Sequence, residues 1–279
     1  MTSLLALLSS LLWGTSDFLG GRLSRRASSI WVVAASQTCS FGLLSLASIG
    51  TFAFGMRPHG SGWLTWGVGG GLALTVALVS FYRGLSVGRM GIVAPIASTG
   101  VVVPVAVGLA EGDRPAAIQV VGILVAVIGV LLASRPASDE GPASGGAAPV
   151  VLALIAGLGF GTALVCLHRG TASNGLDTLW VMRLVIVALL IVPAWRSRPA
   201  PIDGGTWRTV GLLGTCDVGS NAAFAVASLG GSLALVSVLS SLYPVVTTLL
   251  ARELLHERLS RTQLAGVVAT IAGTVLIVL

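Results

Sequence analysis

The chain has 279 residues, of which 54% are hydrophobic and only 9% charged, and its mean hydropathy is +0.95. A soluble domain carries roughly 25% charged residues, so this composition excludes an ordinary soluble protein and indicates that lipid surrounds most of the chain. The net charge is +6, and every basic residue is arginine. The arginines lie between apolar runs instead of clustering on one accessible face, so the charge does not indicate nucleic-acid binding.

Ten apolar runs follow one another, and a helix needs about 20 apolar residues to cross a bilayer. We therefore predict an all-α integral membrane protein with ten transmembrane helices. The predicted spans are Leu4–Gly21, Ser29–Phe54, Trp63–Tyr82, Gly91–Ala110, Ala116–Ser134, Pro149–Leu167, Asp177–Trp195, Trp207–Ser228, Ser232–Ala251 and Thr262–Leu279.

Two stretches of the chain, 91–133 and 231–279, share one plan. Each has two apolar runs around a short polar loop, and subtracting 144 from the later numbers places Gly273 on Gly129. Such self-similarity along the chain indicates an internal duplication.

The duplication divides the chain into two repeats of five spans each. The starts of the halves also agree, with WGT at 13–15 and FGT at 160–162. A segment rich in Pro, Gly, Ser and Ala, 135–148, separates the halves and is typical of a flexible linker. We predict one repeat over 1–134 and a second over 149–279. Because each repeat has an odd number of spans, the second repeat would be inverted in the membrane, as in many secondary transporters.

The arginines are distributed unequally between the two sides of the membrane. Loops after odd-numbered spans hold twelve arginines, and loops after even-numbered spans hold three. Cytoplasmic loops carry the excess of basic residues. We predict a multi-pass protein of the cell's inner (plasma) membrane, with both termini outside.

The three cysteines, Cys39, Cys166 and Cys216, lie inside apolar runs, and no CxxC or His/Cys spacing occurs. We predict small packing residues there, with no disulfide, no metal and no cofactor. No phosphate loop or catalytic triad is present either, so we do not predict an enzyme.

Asp217 lies about midway along the eighth span, and Asn221 lies one turn further on the same helical face. Arg183 lies inside the seventh span at a depth that its long side chain can bridge. Ionisable residues inside membranes are costly and mark functional sites by default. One interpretation is a permanent ion pair that neutralises both residues. The other is a cavity between the repeats where Asp217 binds a proton or a cation and Arg183 an anion.

Four further residues complete the predicted site. Trp13 and Tyr243 are candidate aromatic contacts for substrate. Gln37 is either a polar ligand in the cavity or a helix-to-helix hydrogen bond. Asp17 shares a face with Trp13 and is either a gate acid or a partner for an arginine at the end of the first span.

Three prolines, Pro95, Pro104 and Pro244, lie inside predicted spans beside serine, threonine or tyrosine residues. Proline removes a helical hydrogen bond and bends a helix, and interrupted segments at corresponding places in two halves indicate a transporter site. We predict hinges at these prolines, with tolerated kinks as the alternative.

The chain resembles the drug/metabolite transporter superfamily, of the EamA-domain type, over nearly its whole length. The resemblance is carried by Trp13-Gly14, by Tyr243-Pro244 followed by LLARELLHERLS, by Gly266 and Gly273, and by the second-span arginine of a repeat, Arg183. It implies two tandem EamA-like repeats that transport small organic molecules, often by export and often with a proton gradient.

We expect a secondary transporter, most simply an exporter, that moves a small organic metabolite or drug by alternating access, with proton coupling left open. The alternatives are a non-transporting membrane scaffold and an integral-membrane enzyme that modifies lipids. The expected partners are a small-molecule substrate, the lipid bilayer and protons, with no nucleic acid, and the expected assembly is a monomer or a homodimer.

Overall fold

The computed structural model describes residues 2–53, 62–110, 116–133, 147–197, 203–230, 239–240, 242–257 and 259–278. Its helices are α1 (Thr2–Ser24), α2 (Ser29–Ala53), α3 (Gly62–Val87), α4 (Met90–Ser98), a 3-10 turn (Thr99–Val101), α5 (Val102–Ala110), α6 (Ala117–Ala133), α7 (Ala148–Arg196), α8 (Gly204–Gly230), α9 (Tyr243–Leu255) and α10 (Arg261–Val278). The all-α prediction is therefore confirmed for these residues.

Each predicted span has a helical counterpart, and five described segments are long and apolar enough to cross a membrane. These five are Thr2–Ser24, Ser29–Gly50, Gly62–Val87, Ala148–Gly170 and Ser173–Arg196. The fourth span is not one continuous helix, because the 3-10 turn separates α4 from α5. Most of the predicted linker lies outside the described residues.

The sixth and seventh spans meet in one sharp turn inside α7, which is shorter than the loop that the sequence predicted. Asn174 has an extended backbone (φ −172°, ψ 114°). Its side-chain Oδ1 accepts hydrogen bonds from the backbone N–H groups of Leu176 at 3.0 Å and Asp177 at 3.2 Å. Asn174 therefore caps the N-terminus of the second limb of α7, and the helix restarts without a longer loop.

Helix α3 packs between the two limbs of α7. Its Gly67 faces Val181 of the second limb, and its Ala77 faces Gly159 of the first limb. In the same way, α8 of the second repeat packs against α1 and α2 of the first repeat. The helices of the two halves are thus interleaved.

Helices α6 and α10 pack against each other in antiparallel directions through glycines. Gly122 faces Gly273, and Gly129 faces Gly266. The offset of 144 makes Gly266 equivalent to Gly122 and Gly273 equivalent to Gly129. The two helices are therefore equivalent, and they contact each other through equivalent glycines. Glycine is required there because a Cβ on Gly129 would lie 2.8 Å from the carbonyl oxygen of Gly266.

The WGT and FGT motifs occupy corresponding places. Gly14 of α1 packs against Val246 of α9, and Gly161 of α7 packs against Val103 of α5. Each motif glycine therefore touches the fourth span of the other repeat. The two repeats are therefore alike in this helix contact as well as in sequence.

The larger apolar core lies at one end of the bundle, which we call the arginine-rich end because the loops after odd-numbered spans are found there. It includes Phe18, Trp31, Phe81, Leu85, Met90, Ile186, Leu213 and Val267. Among the described residues, the opposite end has a smaller cluster around Ala6 and Ala227. The chain is thus closely packed between its centre and the arginine-rich end.

Candidate functional site

A buried ion pair lies at the centre of the bundle. Nη2 of Arg183 donates to Oδ2 of Asp217 at 3.0 Å, and the two side chains are only 5% and 16% exposed. The contact links the second limb of α7 to α8, as the sequence predicted from their depths. Within the described residues, Nε of Arg183 is buried without a hydrogen-bond partner.

Ser40 of α2 is part of the same site, although the sequence did not single it out. Its hydroxyl lies 3.2 Å from Oδ2 of Asp217 and 3.3 Å from the carbonyl oxygen of Gly214. A lone serine in an apolar run gives no signal, because serine hydroxyls commonly bond within their own helix. Only the packing of α2 against α8 identifies it.

Asn221 and Gln37 have different positions in the site. The Asn221 amide donates to the backbone carbonyl of Asp217 at 2.6 Å, so this bond stays within α8. Gln37 is only 1% exposed, and its Oε1 has no partner among the described residues. Of the two, Gln37 is the one with an unused buried polar atom.

Trp13 and Tyr243, predicted independently, lie in contact. Their ring centroids are 6.3 Å apart in an edge-to-face arrangement, and Trp13 also lies 5.9 Å from Phe224 of α8. Edge-to-face pairs are favourable because the positive edge of one ring meets the negative face of the other. These three rings form an aromatic cluster on α1, α8 and α9.

Asp17 lies one turn from Trp13 and interacts electrostatically with Asp217. The arginines that follow the first span, Arg22 and Arg25, are the ones that an interfacial ion pair of Asp17 would involve. In the described part of the chain, the side-chain carboxylate that Arg25 contacts is that of Glu257, and no ion pair joins Asp17 to either arginine. The role of Asp17 as a gate acid stays a prediction.

The predicted hinge prolines occupy three different settings. Pro95 lies inside α4, just before the 3-10 turn, and the Ser98 hydroxyl donates to its carbonyl at 2.7 Å. Pro104 and Pro244 lie in the first turns of α5 and α9. Pro244 therefore removes no helical hydrogen bond, whereas Pro104 follows directly on the 3-10 turn and Pro95 lies within a helix. The hinge role of all three stays a prediction.

Three connections meet at the arginine-rich end through Glu257. Its Oε1 accepts a hydrogen bond from Arg25 Nη2 at 2.6 Å, and its Oε2 accepts one from the backbone N–H of Gly91 at 3.3 Å. The same Nη2 of Arg25 lies 3.2 Å from the carbonyl oxygen of Gly88. The carboxylate therefore joins the last repeat to two connections of the first.

A cleft of about 420 Å³ opens at this end between α1 and the start of α8. Arg22, Arg26 and Asp203 contribute its charged lining. Asp203 Oδ1 accepts a hydrogen bond from the backbone N–H of Thr206 at 2.8 Å, which caps α8. Hydrogen bonding to Thr206, first through its side chain and second through its backbone N–H, lowers the pKa of the Asp203 carboxyl.

The described residues contain no group of three or more His, Cys, Asp or Glu side chains arranged to hold a metal. The three cysteines are free thiols. The chemistry that the central site offers is thus hydrogen bonding, charge pairing, proton binding and aromatic contact.

A family model described as the EamA-like transporter family matches residues 1–135 and again residues 147–279. The chain belongs to the EamA-like transporter family. The suspected resemblance and the two tandem copies are confirmed, and the chain is a multi-pass membrane protein of the drug/metabolite transporter type. The exact repeat boundaries and the linker stay predictions.

Solved structures also match this EamA-like chain, with 26 matching chains in all. One of them, described only as "Crystal structure of protein", has a TM-score of 0.65 and 19% sequence identity. The match covers 99% of this chain and 96% of that one. At this identity the match shows the fold alone. Among curated proteins, no sequence matches.

Proposed function

We propose that the chain is a secondary transporter that moves a small organic metabolite or drug across the cytoplasmic membrane by alternating access, with export as its direction. Membership in a transporter family supports the transport class. The observation that carries the proposal for the site is the Arg183–Asp217 ion pair, because two charges inside a bilayer are costly and are retained here at the centre of the bundle.

We infer that the two repeats are inverted relative to each other. The antiparallel packing of α6 and α10 supports this, because the predicted offset makes these two helices equivalent. Inverted repeats place the substrate near the midplane, where the halves meet. The Ser40–Asp217 contact and the Trp13–Tyr243 contact each join one repeat to the other, which supports a site between the halves.

The close packing at the arginine-rich end supports a state that is closed on that side. By the excess of arginine, that side is cytoplasmic, which places both termini outside. Alternating access then requires the contacts of Glu257 to break when the site opens to the cytoplasm. Flexing of the fourth and ninth spans beside Pro95, Pro104 and Pro244 would accompany this change.

The substrate would bind between the ion pair and the aromatic cluster. Nε of Arg183 offers an unused donor and Oε1 of Gln37 an unused acceptor, and buried polar atoms need partners to offset their desolvation. Trp13 and Tyr243 would offer an apolar surface to the rest of the substrate molecule. This combination suits a small amphipathic molecule with both donor and acceptor groups.

A thermal-shift screen of the purified chain against a metabolite panel, at two pH values, tests this proposal. A ligand at 100 times its Kd stabilises the folded state by about 2.7 kcal/mol. We expect the stabilisation by a hit to fall in the Asp217→Asn variant. Asp203→Asn is the matched control, since Asp203 lies at the exposed start of the same helix.

Flux of the hit into proteoliposomes separates transport from binding alone. A hit that moves across the membrane in the wild type, and more slowly in Asp217→Asn, supports the transporter. A folded chain that binds no panel member and moves none would favour a membrane scaffold. Chemical conversion of an added lipid would favour an enzyme. The elution of detergent-solubilised protein decides between monomer and homodimer.

A further inference from the structure

Asp17 points into the protein and not toward lipid. On α1 it lies between Gly14, which packs against Val246 of α9, and Gly20, whose Cβ position is filled by the ring of Tyr82. Residues three or four apart share a helical face. The Asp17 carboxylate therefore lies on the face that packs against α9 and α3.

This carboxylate has no counterion in the described part of the chain. The buried guanidinium of Arg183 forms its ion pair with Asp217, and Asp217 also accepts a hydrogen bond from the Ser40 hydroxyl. Neither an ion pair nor a hydrogen bond of the Asp17 side chain occurs among the described residues. Asp17 is half-buried, and an ionised carboxylate without a counterion is disfavoured where its surroundings are apolar.

Three titratable groups on neighbouring helices interact electrostatically with Asp17. Asp217 of α8 is a second carboxyl group, while Tyr82 of α3 and Tyr243 of α9 are phenols. Arg183 is the positive group that acts on this region, through Asp217 and Tyr82. The remaining packed helices add little, since α4 has no ionisable residue and α2 has only the thiol of Cys39.

We propose that Asp17, and not Asp217, is the residue that binds and releases the proton coupled to transport. Asp217 is already engaged by Arg183 and Ser40. Asp17 alternates between the neutral acid and the carboxylate, releasing one proton to the open side each time. The net charge of the site falls by one on release, so the binding of a charged substrate would depend on the proton. This assignment deepens the proposed function and rests on it.

Infrared difference spectroscopy tests the assignment with the proton as the only probe. Spectra of the full chain in lipid nanodiscs are compared between mildly acidic and mildly alkaline pH. We expect the carbonyl band of a buried protonated carboxylic acid in the wild type and its loss on alkalinisation. Asp17→Asn should lack this band, and the control Asp203→Asn should keep it.

A second variant covers the case that Asp17→Asn does not fold. Asp17→Glu retains a carboxyl group, so we expect its band to remain at a shifted frequency. A band that survives in Asp17→Asn, a band that is unshifted in Asp17→Glu, or a wild type without a titrating band would each overturn the assignment. Because no substrate is used, these outcomes are distinct from a failure of the transport proposal.

Discussion

The Nη2 atom of Arg25 lies 2.6 Å from Oε1 of Glu257, and this contact joins the two halves of the chain at the arginine-rich end. Glu257 is only 11% exposed, so solvent screens the pair less than a surface ion pair. In the proposed alternating access, this contact would break when the site opens to that side.

Replacing Glu257 by alanine should loosen this end. The variant loses the Arg25 contact and the bond from the Gly91 N–H. Together these contribute about 1–2 kcal/mol, which corresponds to about a 5- to 30-fold change in the open population. Hydrogen–deuterium exchange of residues 88–98 should accelerate by this factor.

The control for this variant is Glu253→Ala. Glu253 is 75% exposed and lies 3.9 Å from Arg252, a similarly exposed residue. Exposed pairs contribute little, so exchange in residues 88–98 should stay at the wild-type rate. Equal exchange in both variants would remove the closing role from Glu257.

Replacing Arg183 alone by alanine should destabilise the chain strongly. Asp217 would remain charged and largely buried without its partner, which costs about 3–5 kcal/mol. At about 2–4 °C per kcal/mol, the Tm in detergent should fall by about 6–20 °C. The double variant Arg183→Leu/Asp217→Leu should lose less, because it leaves no unpaired charge. A double variant that loses the sum of the two single changes would contradict this account.

The glycine contact between α6 and α10 should not accept a methyl group. In Gly129→Ala the new Cβ would lie 2.6 Å from Thr270 Oγ1 and 2.8 Å from the Gly266 carbonyl oxygen. Overpacking of this kind costs about 1–3 kcal/mol. Thermal unfolding should show the loss.

Gly42→Ala is the matched substitution, since a Cβ at Gly42 of α2 would meet nothing within 4 Å among the described residues. It should be neutral or gain up to about 1 kcal/mol from helix propensity. If both alanine variants unfold at the same temperature, the α6–α10 contact does not depend on Gly129.

The cap at Asp203 should make the stability depend on pH in acid. Its hydrogen bond with Thr206 lowers the folded-state pKa of the carboxyl. The stabilisation is therefore present above the ordinary aspartate pKa, about 3.9, and is lost as the pH falls through the lower folded value. The Tm difference between wild type and Asp203→Ala should shrink in that window.

Asp203→Asn serves as the control, because asparagine also caps helices but does not titrate. Its Tm difference from Asp203→Ala should stay constant as the pH falls. A wild type that loses no more stability in acid than Asp203→Asn would disprove the carboxylate's contribution.

The positions of Arg183 and Asp217 could be predicted from the sequence, because depth along a helix follows from residue count. The sequence singled out Trp13 and Tyr243 one at a time, and the structure brings their rings together, while their contact with substrate stays a prediction. Ser40 was not found, because its partner Asp217 is 177 residues away. The contact between Glu257 and Arg25 was not found either, because 232 residues separate them.

The sequence by itself determined that this is a duplicated helical membrane protein, because apolar length and self-similarity are properties of the letters and need no partner. The tertiary structure decided which polar groups meet. In the described residues, the one buried guanidinium, that of Arg183, pairs with Asp217. Arg25 pairs with Glu257, and Asp17 has no counterion. These pairings depend on how α1, α7 and α8 pack, because the interaction between two charges depends on their distance in space and not on their separation along the chain.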